Sequence, residues 1–398
     1  MPEPNAERLA AELAAAGHLT PDWAEAWRAV DRADFVPARV WVSDPEGYRR
    51  FDRDDDPDRW RALVYSDTVL VTQVEGGTAE PEVSSWPTSS AMMPRMVAGM
   101  MAALDVADGH HVLEIGTGVG IGAALLSARL GDAAVTSIEV DPNVAAGARR
   151  SLDRAGRHPY LAVGDGMAGV PERAPFDRVL STCSVRTVPW PWIAQTRPGG
   201  RVLTPWGTGL YNGVLLDLEV AEDARGRYAT GRVVGDAAFM WERGQGTAPD
   251  LAVGSVGAAD DTGTPASTTL DARVLSGSRD AAFAVGLLLP GVRSHVHRTA
   301  GPHSAAALDA LTLWLADPDS RSWARVEYVP GQSEFAAERF GPRDVLGEAE
   351  AALHWWHKAG SPARSRLGVT VRESGQVEWL DTPNAPTPPR PGASGRGR

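Results

Sequence analysis

The chain has 398 residues, more than one hydrophobic core usually supports, so two domains are expected. Hydrophobic residues make up 43% and charged residues 23%, which is ordinary for a soluble globular protein. The net charge of −12 argues against tight nucleic-acid binding, which needs clustered Lys and Arg side chains.

No targeting or membrane segment is expected. The start, MPEPNAER, has neither a basic region nor an apolar run. The most apolar later stretch, residues 281–292, is far shorter than the roughly 20 residues of a membrane span. We therefore predict a cytoplasmic protein.

A single cysteine, Cys183, excludes an internal disulfide framework and a multi-cysteine metal site, and no metal is expected. Its neighbours predict a buried strand end, where a thiol acts as a small apolar group. A reactive thiol is the alternative, which would need an electropositive setting.

The N-terminal region predicts helices followed by loops. Residues 5–35 show helical spacing of apolar side chains, with a new helix at Thr20-Pro21-Asp22. Residues 44–60 are rich in Asp, Arg and Pro and predict a surface loop. Residues 75–85 predict another.

From residue 110 to residue 236, short apolar runs alternate with helical stretches, which predicts an α/β fold with a doubly wound parallel sheet. The predicted strands are 111–115, 135–140, 159–163, 177–182 and 201–205. The predicted helices are 120–130, 142–155 and 190–196.

The predicted domain organisation has five parts. Residues 1–80 form a helical segment on the substrate side, and residues 81–243 form the cofactor-binding core. Residues 244–270 predict a linker, residues 271–381 a smaller α+β extension, and residues 382–398 a disordered tail.

The run from residue 112 to residue 131, VLEIGTGVGIGAALLSARLG, predicts a cofactor site at a strand end. Gly116, Gly118 and Gly120 would let a ligand approach the main chain closely. The spacing does not fit a dinucleotide fingerprint, because the sixth position is Ile121 or Ala123 in the two registers. A tight turn without a ligand is the alternative reading of such a loop.

Acidic residues at the next strand ends support the cofactor site. Glu139 ends the second strand, where a carboxylate can accept hydrogen bonds from ribose hydroxyls. Asp165 and Gly166 end the third strand, and Glu114 lies beneath the loop.

Several segments give the chain a resemblance to the protein-L-isoaspartate O-methyltransferase family, from about residue 5 to residue 243. They are YSDTVLVTQ, PTSSAMMPRM, VLEIGTGVG, GDGMAGVPERAPFDRVLSTCSV and RPGGRVLTPWG. The resemblance implies a class I methyltransferase fold and S-adenosyl-L-methionine as cofactor. It implies a carboxyl group of an aspartate or isoaspartate in a peptide as the methyl acceptor.

The resemblance also implies which residues bind. Cofactor-binding residues would be Glu114, Gly116, Thr117, Gly118, Gly120, Glu139, Val140, Asp165, Gly166 and Thr182. Catalytic residues would be Ser89, Ser90 and Met92, and substrate-binding residues Gln73, Thr88, Met93 and Arg186.

Two departures from the family pattern bear on the substrate. Met92 stands where the family usually has a serine, with Ser89 and Ser90 just upstream as possible substitutes. Arg186 stands where small or apolar residues are common, either as a solvated loop residue or as a cation for the substrate carboxylate.

The C-terminal segment LGVTVRESGQVEWLD resembles an actinobacterial subgroup that accompanies the maturation of ribosomal peptides cyclised by ATP-grasp enzymes. This resemblance implies a modified, cyclised precursor peptide as substrate and a succinimide as the product that follows methylation. The 14 tryptophans, including Trp190, Trp192, Trp355 and Trp356, would be core residues or a peptide-binding wall.

Two other functions remain open. One is general repair of isoaspartate in aged proteins, against which Met92 and the extension argue. The other is a non-catalytic module that holds a peptide on a methyltransferase fold, against which the intact glycines, Glu139 and Asp165 argue.

Overall fold

The structure, a computed structural model, describes residues 5–246, 262–298 and 310–388. Its strands form three sheets of five, nine and five strands. The nine-stranded sheet lies in the centre of the chain, and its parallel half carries the predicted cofactor loop. The fold class expected from the sequence is therefore confirmed.

Two helices begin the described chain, α1 (Ala6–Ala15) and α2 (Pro21–Arg28). The side chain of Asn5 caps α1 by accepting a 2.9 Å hydrogen bond from the Arg8 amide, and Pro21 occupies the first turn of α2. Both helices bury their apolar faces, as the spacing predicted.

The prediction of a surface loop over residues 44–60 is wrong. Strands β1 (Arg39–Asp44) and β2 (Gly47–Asp52) form a hairpin, and α3 (Pro57–Val64) follows. Charged side chains on the strands pair with one another at the surface, as Arg49 does with Asp44 at 2.8 Å, so a polar composition concealed the hairpin.

The N-terminal segment is accordingly not only helical. Strand β3 (Leu70–Val74), the short β4 (Val83–Ser84) and β5 (Pro87–Ala91) complete an antiparallel sheet of order β4-β2-β1-β3-β5. Helix α4 (Pro94–Leu104) then leads to the central sheet.

The elements predicted between residues 110 and 205 are all present. The strands are β6 (Val112–Ile115), β7 (Val135–Glu139), β8 (Tyr160–Val163), β9 (Phe176–Ser181) and β10 (Thr196–Gly207), and the helices are α5 (Ile121–Leu130), α6 (Pro142–Arg154) and α7 (Trp190–Ala194). The five strands are parallel in the order β10-β9-β6-β7-β8.

The other half of the central sheet is antiparallel, so the sheet is mixed. Strands β11 (Asn212–Asp223) and β12 (Gly226–Asp236) continue from β10 as hairpins. The alternation of strands and helices did not predict them, because no helix separates them.

The extension contributes to two sheets. Helices α8 (Ala272–Gly277), α9 (Arg279–Leu288) and α10 (Val345–Lys358) accompany a five-stranded sheet. Its strands are β13 (Thr264–Thr268), β14 (Arg293–Arg298), β15 (Leu311–Asp317), β16 (Ser322–Tyr328) and β17 (Phe335–Phe340). Strands β18 (Leu367–Arg372) and β19 (Gly375–Leu380) instead join the central sheet beside β12.

Two predicted irregular segments are partly regular. Within the predicted linker, residues 264–268 form β13, which pairs with β17, whereas residues 247–261 lie outside the described residues. Within the predicted disordered tail, the Thr387 amide donates to the Glu378 carbonyl at 3.0 Å, and residues 389–398 lie outside the described residues.

The apolar stretch at residues 281–292 includes most of α9, where residues 281–288 are all buried. Within the described ranges, no helix is long and apolar enough to cross a membrane. The ring of Phe283 in α9 lies edge-on to Trp206 of β10 at 5.1 Å between centroids, so the extension and the central sheet share one core.

The four tryptophans named in the sequence analysis serve the core, whereas Trp86 and Trp241 line a cleft described below. Trp192 is fully buried, and Trp356 is buried with its indole N–H donated to the Pro362 carbonyl at 3.0 Å. Trp190 and Trp355 pack against the same core. These positions favour the core interpretation.

Candidate functional site

The glycine loop connects β6 to α5 in a conformation that needs glycine. Gly116 has φ of 88°, and a Cβ there would lie 2.6 Å from Thr182 Oγ1 and 2.9 Å from Cys183 Sγ. Gly120, with φ of 93°, packs against Ala148 of α6. The loop thus keeps the main chain accessible between β6 and β9.

Glu139, at the end of β7, lies beside this loop. Its Oε2 accepts a 2.9 Å hydrogen bond from the Gly118 amide, and its Oε1 accepts a 3.1 Å hydrogen bond from the Asp141 amide. The side chain is buried but lines a cleft, so its remaining acceptor positions face the cleft.

Glu114 lies in the sheet beneath the loop and does not line the cleft. Its Oε2 accepts a 2.6 Å hydrogen bond from the Ser137 hydroxyl, which is itself 2.6 Å from Thr117 Oγ1. Its Oε1 is buried without a partner among the described residues. Burial raises the pKa of Glu114 from 4.5 to about 8.

The two residues predicted at the end of the third strand differ in their positions relative to the cleft. Asp165 is exposed and caps the following turn through the Met167 amide at 2.8 Å, outside the cleft lining. Gly166 lines the cleft, and its carbonyl accepts the indole N–H of Trp192 at 2.8 Å.

The carboxyl ends of the parallel strands border an open space, which we call the inner cleft. Seven of the ten predicted cofactor residues line it: Gly116, Thr117, Gly118, Glu139, Val140, Gly166 and Thr182. Glu114, Gly120 and Asp165 do not. The Thr182 hydroxyl fixes the loop by donating to the Gly116 carbonyl at 2.7 Å.

Cys183 also lines the inner cleft, at the end of β9 as predicted. Burial raises the pKa of its thiol to about 12. A thiol held protonated at neutral pH is a weak nucleophile, so the structure favours the packing interpretation over a reactive thiol.

The predicted catalytic segment crosses in front of the glycine loop. A Cβ on Gly118 would lie 3.7 Å from the Ser90 carbonyl and 3.9 Å from Ser89 Oγ. Ser89, Ser90 and Met92 all line the inner cleft. The Ser89 hydroxyl is buried and accepts from the Thr72 hydroxyl at 3.3 Å, so it is already engaged within the protein.

A second space, which we call the outer cleft, adjoins the inner cleft and has a volume of about 770 Å³. Thr88, Ser90, Met92 and the segment 239–243 contribute to both linings, whereas Met93 lines only the outer cleft. The structure thereby brings four predicted residues to the region where the clefts meet.

Gln73 connects this region to helix α6. Its amide nitrogen donates to Asp141 Oδ2 at 2.9 Å, and its amide oxygen accepts from the Thr88 hydroxyl at 2.8 Å. It lies behind the lining rather than in it.

Arg186 lies outside both cleft linings. Its guanidinium stacks over the ring of Trp241 at 4.1 Å and donates to the Gln245 carbonyl. Desolvation lowers its pKa. It is therefore neither a solvated loop residue nor a cation in the clefts.

The segment 239–243, with Phe239, Met240, Trp241, Glu242 and Arg243, was not predicted as part of the site. It follows β12, one of the strands that the alternating pattern missed. Only its aromatic and charged composition at the end of the predicted core pointed to it.

Comparison with known proteins identifies the family. The model of the family "Protein-L-isoaspartate(D-aspartate) O-methyltransferase (PCMT)" matches residues 46–228. A protein-L-isoaspartate O-methyltransferase of Methanothrix thermoacetophila is 36% identical over 177 residues, which are 44% of this chain and 77% of that relative. The chain belongs to this family.

Other members of the protein-L-isoaspartate O-methyltransferase family match over shorter lengths. The protein of Anaeromyxobacter dehalogenans strain 2CP-C is 45% identical over 132 residues, which are 33% of this chain and 62% of that relative. The chain spans about 60% of the length of such curated relatives.

A solved structure of a protein-L-isoaspartate O-methyltransferase has the same fold over almost the whole chain. It covers 95% of this chain and 100% of its own, with a TM-score of 0.52 and 21% identity. The fold of the extension thus also occurs in that protein.

The cofactor of this methyltransferase family is S-adenosyl-L-methionine, and the inner cleft fits it. The space that a Cβ on Gly116 would fill is kept open beside Thr182, and the Glu139 carboxylate lines the cleft. The predicted cofactor site needs an accessible main chain and an acceptor for ribose hydroxyls, and these two features would supply them.

Proposed function

We propose that this protein is an S-adenosylmethionine-dependent carboxyl O-methyltransferase that acts on isoaspartyl or aspartyl residues of peptides. The observation that carries the proposal is the junction of the two clefts. Ser90, Met92 and Phe239 line both, so an acceptor in the outer cleft would lie directly beside the inner cleft.

The reaction requires little acid–base catalysis from the protein. Bound S-adenosyl-L-methionine supplies a methyl group already activated on a sulfonium. An acceptor carboxyl group has an unperturbed pKa of about 3.9 and is ionised at neutral pH, so no general base is needed. No histidine is among the described residues that line the two clefts, which agrees with this requirement.

The residues at the junction would orient the acceptor and exclude water. Met92, Phe239 and Trp241 give it an apolar rim, and Ser90 contributes a polar group beside the glycine loop. Orientation of this kind contributes up to about 7–11 kcal/mol in favourable intramolecular reactions.

The outer cleft has room for a stretch of peptide. Its volume of about 770 Å³ lies in the upper part of the roughly 300–1,000 Å³ range of small-molecule pockets. Its lining is rich in aromatic and methionine side chains, which adapt to varied apolar groups.

A calorimetric titration with S-adenosyl-L-methionine, combined with methyl transfer to isoaspartyl and aspartyl peptides, tests the proposal. We expect cofactor binding and transfer to the isoaspartyl peptide. Binding without transfer to either peptide would instead favour a non-catalytic peptide-binding module.

As a finer proposal, the acceptor is an aspartate of a ribosomally made, cyclised peptide, in a cytoplasmic maturation system. Met92 supports it, because a thioether at the cleft junction cannot donate the hydrogen bond of the serine usual in the family. The C-terminal extension does not support the cyclised-peptide substrate, because the fold of the extension also occurs in a protein named for isoaspartate methylation.

The aspartyl methyl ester formed in that reaction would cyclise. The backbone nitrogen following the esterified aspartate attacks the ester carbonyl, methanol leaves, and a succinimide forms. General repair of isoaspartyl proteins is the alternative, and the family relatives support it at least as well.

A kinetic comparison of a cyclised precursor peptide, its linear form and a generic isoaspartyl peptide separates the two. The specialised function predicts the highest kcat/KM for the cyclised peptide, because a rigid ligand loses less conformational entropy on binding. The highest kcat/KM for the generic isoaspartyl peptide would establish repair.

A further inference from the structure

Glu242 is a buried carboxylate at the inner cleft that has no place in the predicted cofactor site. The residue is 8% exposed and lines the cleft. Its Oε2 accepts from the Gly244 amide at 2.9 Å and from the Gln245 amide at 3.1 Å. Within the described part of the chain, its Oε1 makes no hydrogen bond. One oxygen of the carboxylate thus shapes the following turn, and the other is free to accept from a ligand.

Main-chain hydrogen bonds fix Glu242 beside the end of β9. The Ser184 amide donates to the Met240 carbonyl at 2.8 Å, and the Glu242 amide donates to the Ser184 carbonyl at 2.9 Å. Burial, followed by the charges of Glu139 and Glu242, raises the pKa of the Cys183 thiol to about 12, so both carboxylates lie near this thiol. Glu242 is therefore held at the β9 side of the inner cleft.

The predicted ribose site gives the cofactor a direction in the cleft. Strand β6 lies between β9 and β7, and β7 ends at Glu139. The reactive methyl group on sulfur must face the junction with the outer cleft, where Phe239 and Trp241 lie in the segment that pairs with Ser184 after β9. Because sulfur joins the ribose to the amino-acid part of the cofactor, the amino-acid part extends from Glu139 toward β9 and Glu242.

The charges of the inner cleft leave one carboxylate for the cofactor's ammonium group. Among the described residues, Glu139, Glu242 and Arg243 are the charged side chains in its lining. Arg243 is paired with Asp141 at 3.4 Å, and Glu139 is the predicted acceptor for the ribose. Glu114 lies beneath the loop and outside the lining. Glu242 thus supplies the remaining negative charge.

We propose that Glu242 binds the α-ammonium group of S-adenosyl-L-methionine through its free Oε1. The inference concerns the cofactor and does not depend on which acceptor the protein methylates. Hydrogen bonds between an ammonium group and a carboxylate are roughly twice as strong as those between neutral groups. S-adenosyl-L-homocysteine keeps the ammonium group after methyl transfer, so it makes the same contact. Glu242 holds the amino-acid end of the cofactor while Glu139 binds the ribose.

The test compares S-adenosyl-L-homocysteine with its analogue that lacks only the α-amino group. In calorimetry, the wild-type protein should bind S-adenosyl-L-homocysteine at least tenfold more tightly than the deamino analogue. Glu242→Gln should reduce that ratio at least threefold, because it lowers the affinity for S-adenosyl-L-homocysteine alone. Glu242→Asp keeps the charge on a shorter side chain and should keep part of the ratio.

The glutamine variant is suited to this test because it preserves the turn. Its amide oxygen can still accept from the amides of Gly244 and Gln245, so the midpoint of unfolding in urea should not change. As a matched control, Glu222→Gln removes an exposed carboxylate of β11 outside both clefts and should keep the full ratio. Glu139→Ala should weaken both ligands alike, since both contain the ribose.

A smaller ratio in the wild type, or a reduction of less than threefold in Glu242→Gln, would overturn the inference. So would weaker binding of S-adenosyl-L-methionine in that variant with unchanged binding of S-adenosyl-L-homocysteine, because Glu242 would then act on the sulfonium charge. The proposed function fails in a different way. Ammonium-dependent cofactor binding without methyl transfer to any aspartyl or isoaspartyl peptide would contradict the acceptor class and leave the role of Glu242 intact.

Discussion

The amide of Gly118 and the carboxylate of Glu139 are joined by a 2.9 Å hydrogen bond. The bond connects the tip of the glycine loop to the end of the neighbouring strand β7. Glu139 therefore holds the loop in shape while its remaining acceptor positions face the inner cleft. The loop and the predicted ribose contact form one unit.

Removing that carboxylate should weaken cofactor binding. Hydrogen bonds to a charged group contribute roughly 1.5–3 kcal/mol each, so Glu139→Ala should lower the affinity for S-adenosyl-L-methionine at least tenfold. Calorimetry checks this, with Glu172→Ala, an exposed carboxylate outside the cleft, as the control. A change below twofold in Glu139→Ala would mean that the carboxylate serves only the loop.

Adding one methyl group at Gly116 should close part of the inner cleft. The Cβ of Gly116→Ala would lie 2.6 Å from Thr182 Oγ1, and φ of 88° adds backbone strain of about 1–3 kcal/mol. We expect at least a tenfold loss of cofactor affinity. Gly99→Ala, in α4 with open space around its Cβ, should bind normally. Equal affinities in the two variants would place the cofactor elsewhere.

The buried Glu114 should make stability depend on pH. Its pKa is raised from 4.5 to about 8 by burial, so the folded state holds the proton that the unfolded state releases. Its contribution is fully present below about pH 4.5 and is lost as pH rises toward 8, by a few kcal/mol.

The Glu114→Gln variant should not show this loss of stability with rising pH. Urea unfolding of both proteins from pH 5 to pH 8 measures it, because other titrating groups affect the two alike. The free energy of unfolding of the wild type should fall relative to that of the variant as pH rises. Parallel pH profiles would show that Glu114 is ionised in the folded protein.

Arg32 should hold the predicted catalytic segment, residues 89–92, in its position. Its buried guanidinium donates to carbonyls of two segments, including Val64 at 2.7 Å and Met92 at 3.0 Å. The full set of acceptors is Val64, Ser66, Thr68, Ala91 and Met92. Burial lowers its pKa to about 10.

Arg32→Lys offers three donors for these five carbonyls, so buried acceptors would lose their partners. We expect the free energy of unfolding to fall by about 3 kcal/mol or more, whereas Arg28→Lys on the exposed end of α2 should change it by less than about 0.5 kcal/mol. Unfolding in urea measures both. Similar stabilities for the two variants would show that Arg32 does not hold the segment.

The parallel half of the sheet was predictable because apolar runs, glycines and helix starts agree there. Glu139 and Gly166 follow from their places at strand ends. The hairpin of β1 and β2 was not predictable from composition, because its outward charges are balanced by pairs that form only in the folded chain, such as Arg49 with Asp44 across the strands and Arg39 with Glu80.

The acceptor side was predicted less completely than the cofactor side. Ser90 and Met92 followed from the family pattern, but the place of Arg243 at the cleft junction did not, because it depends on contacts with Gln73 and Asp141, 170 and 102 residues away in sequence. Arg186, chosen for its charge, lies against Trp241 instead. Long-range contacts of this kind carry no local sequence signal.

The chemical nature of the methylated product tests the central claim most directly. The protein would be incubated with methyl-labelled S-adenosyl-L-methionine and an isoaspartyl peptide, and the label released as methanol at alkaline pH would be measured. A carboxyl methyl ester predicts release of nearly all incorporated label. Label that stays on the peptide at alkaline pH, as a methyl group on nitrogen or on a hydroxyl oxygen would, contradicts the account.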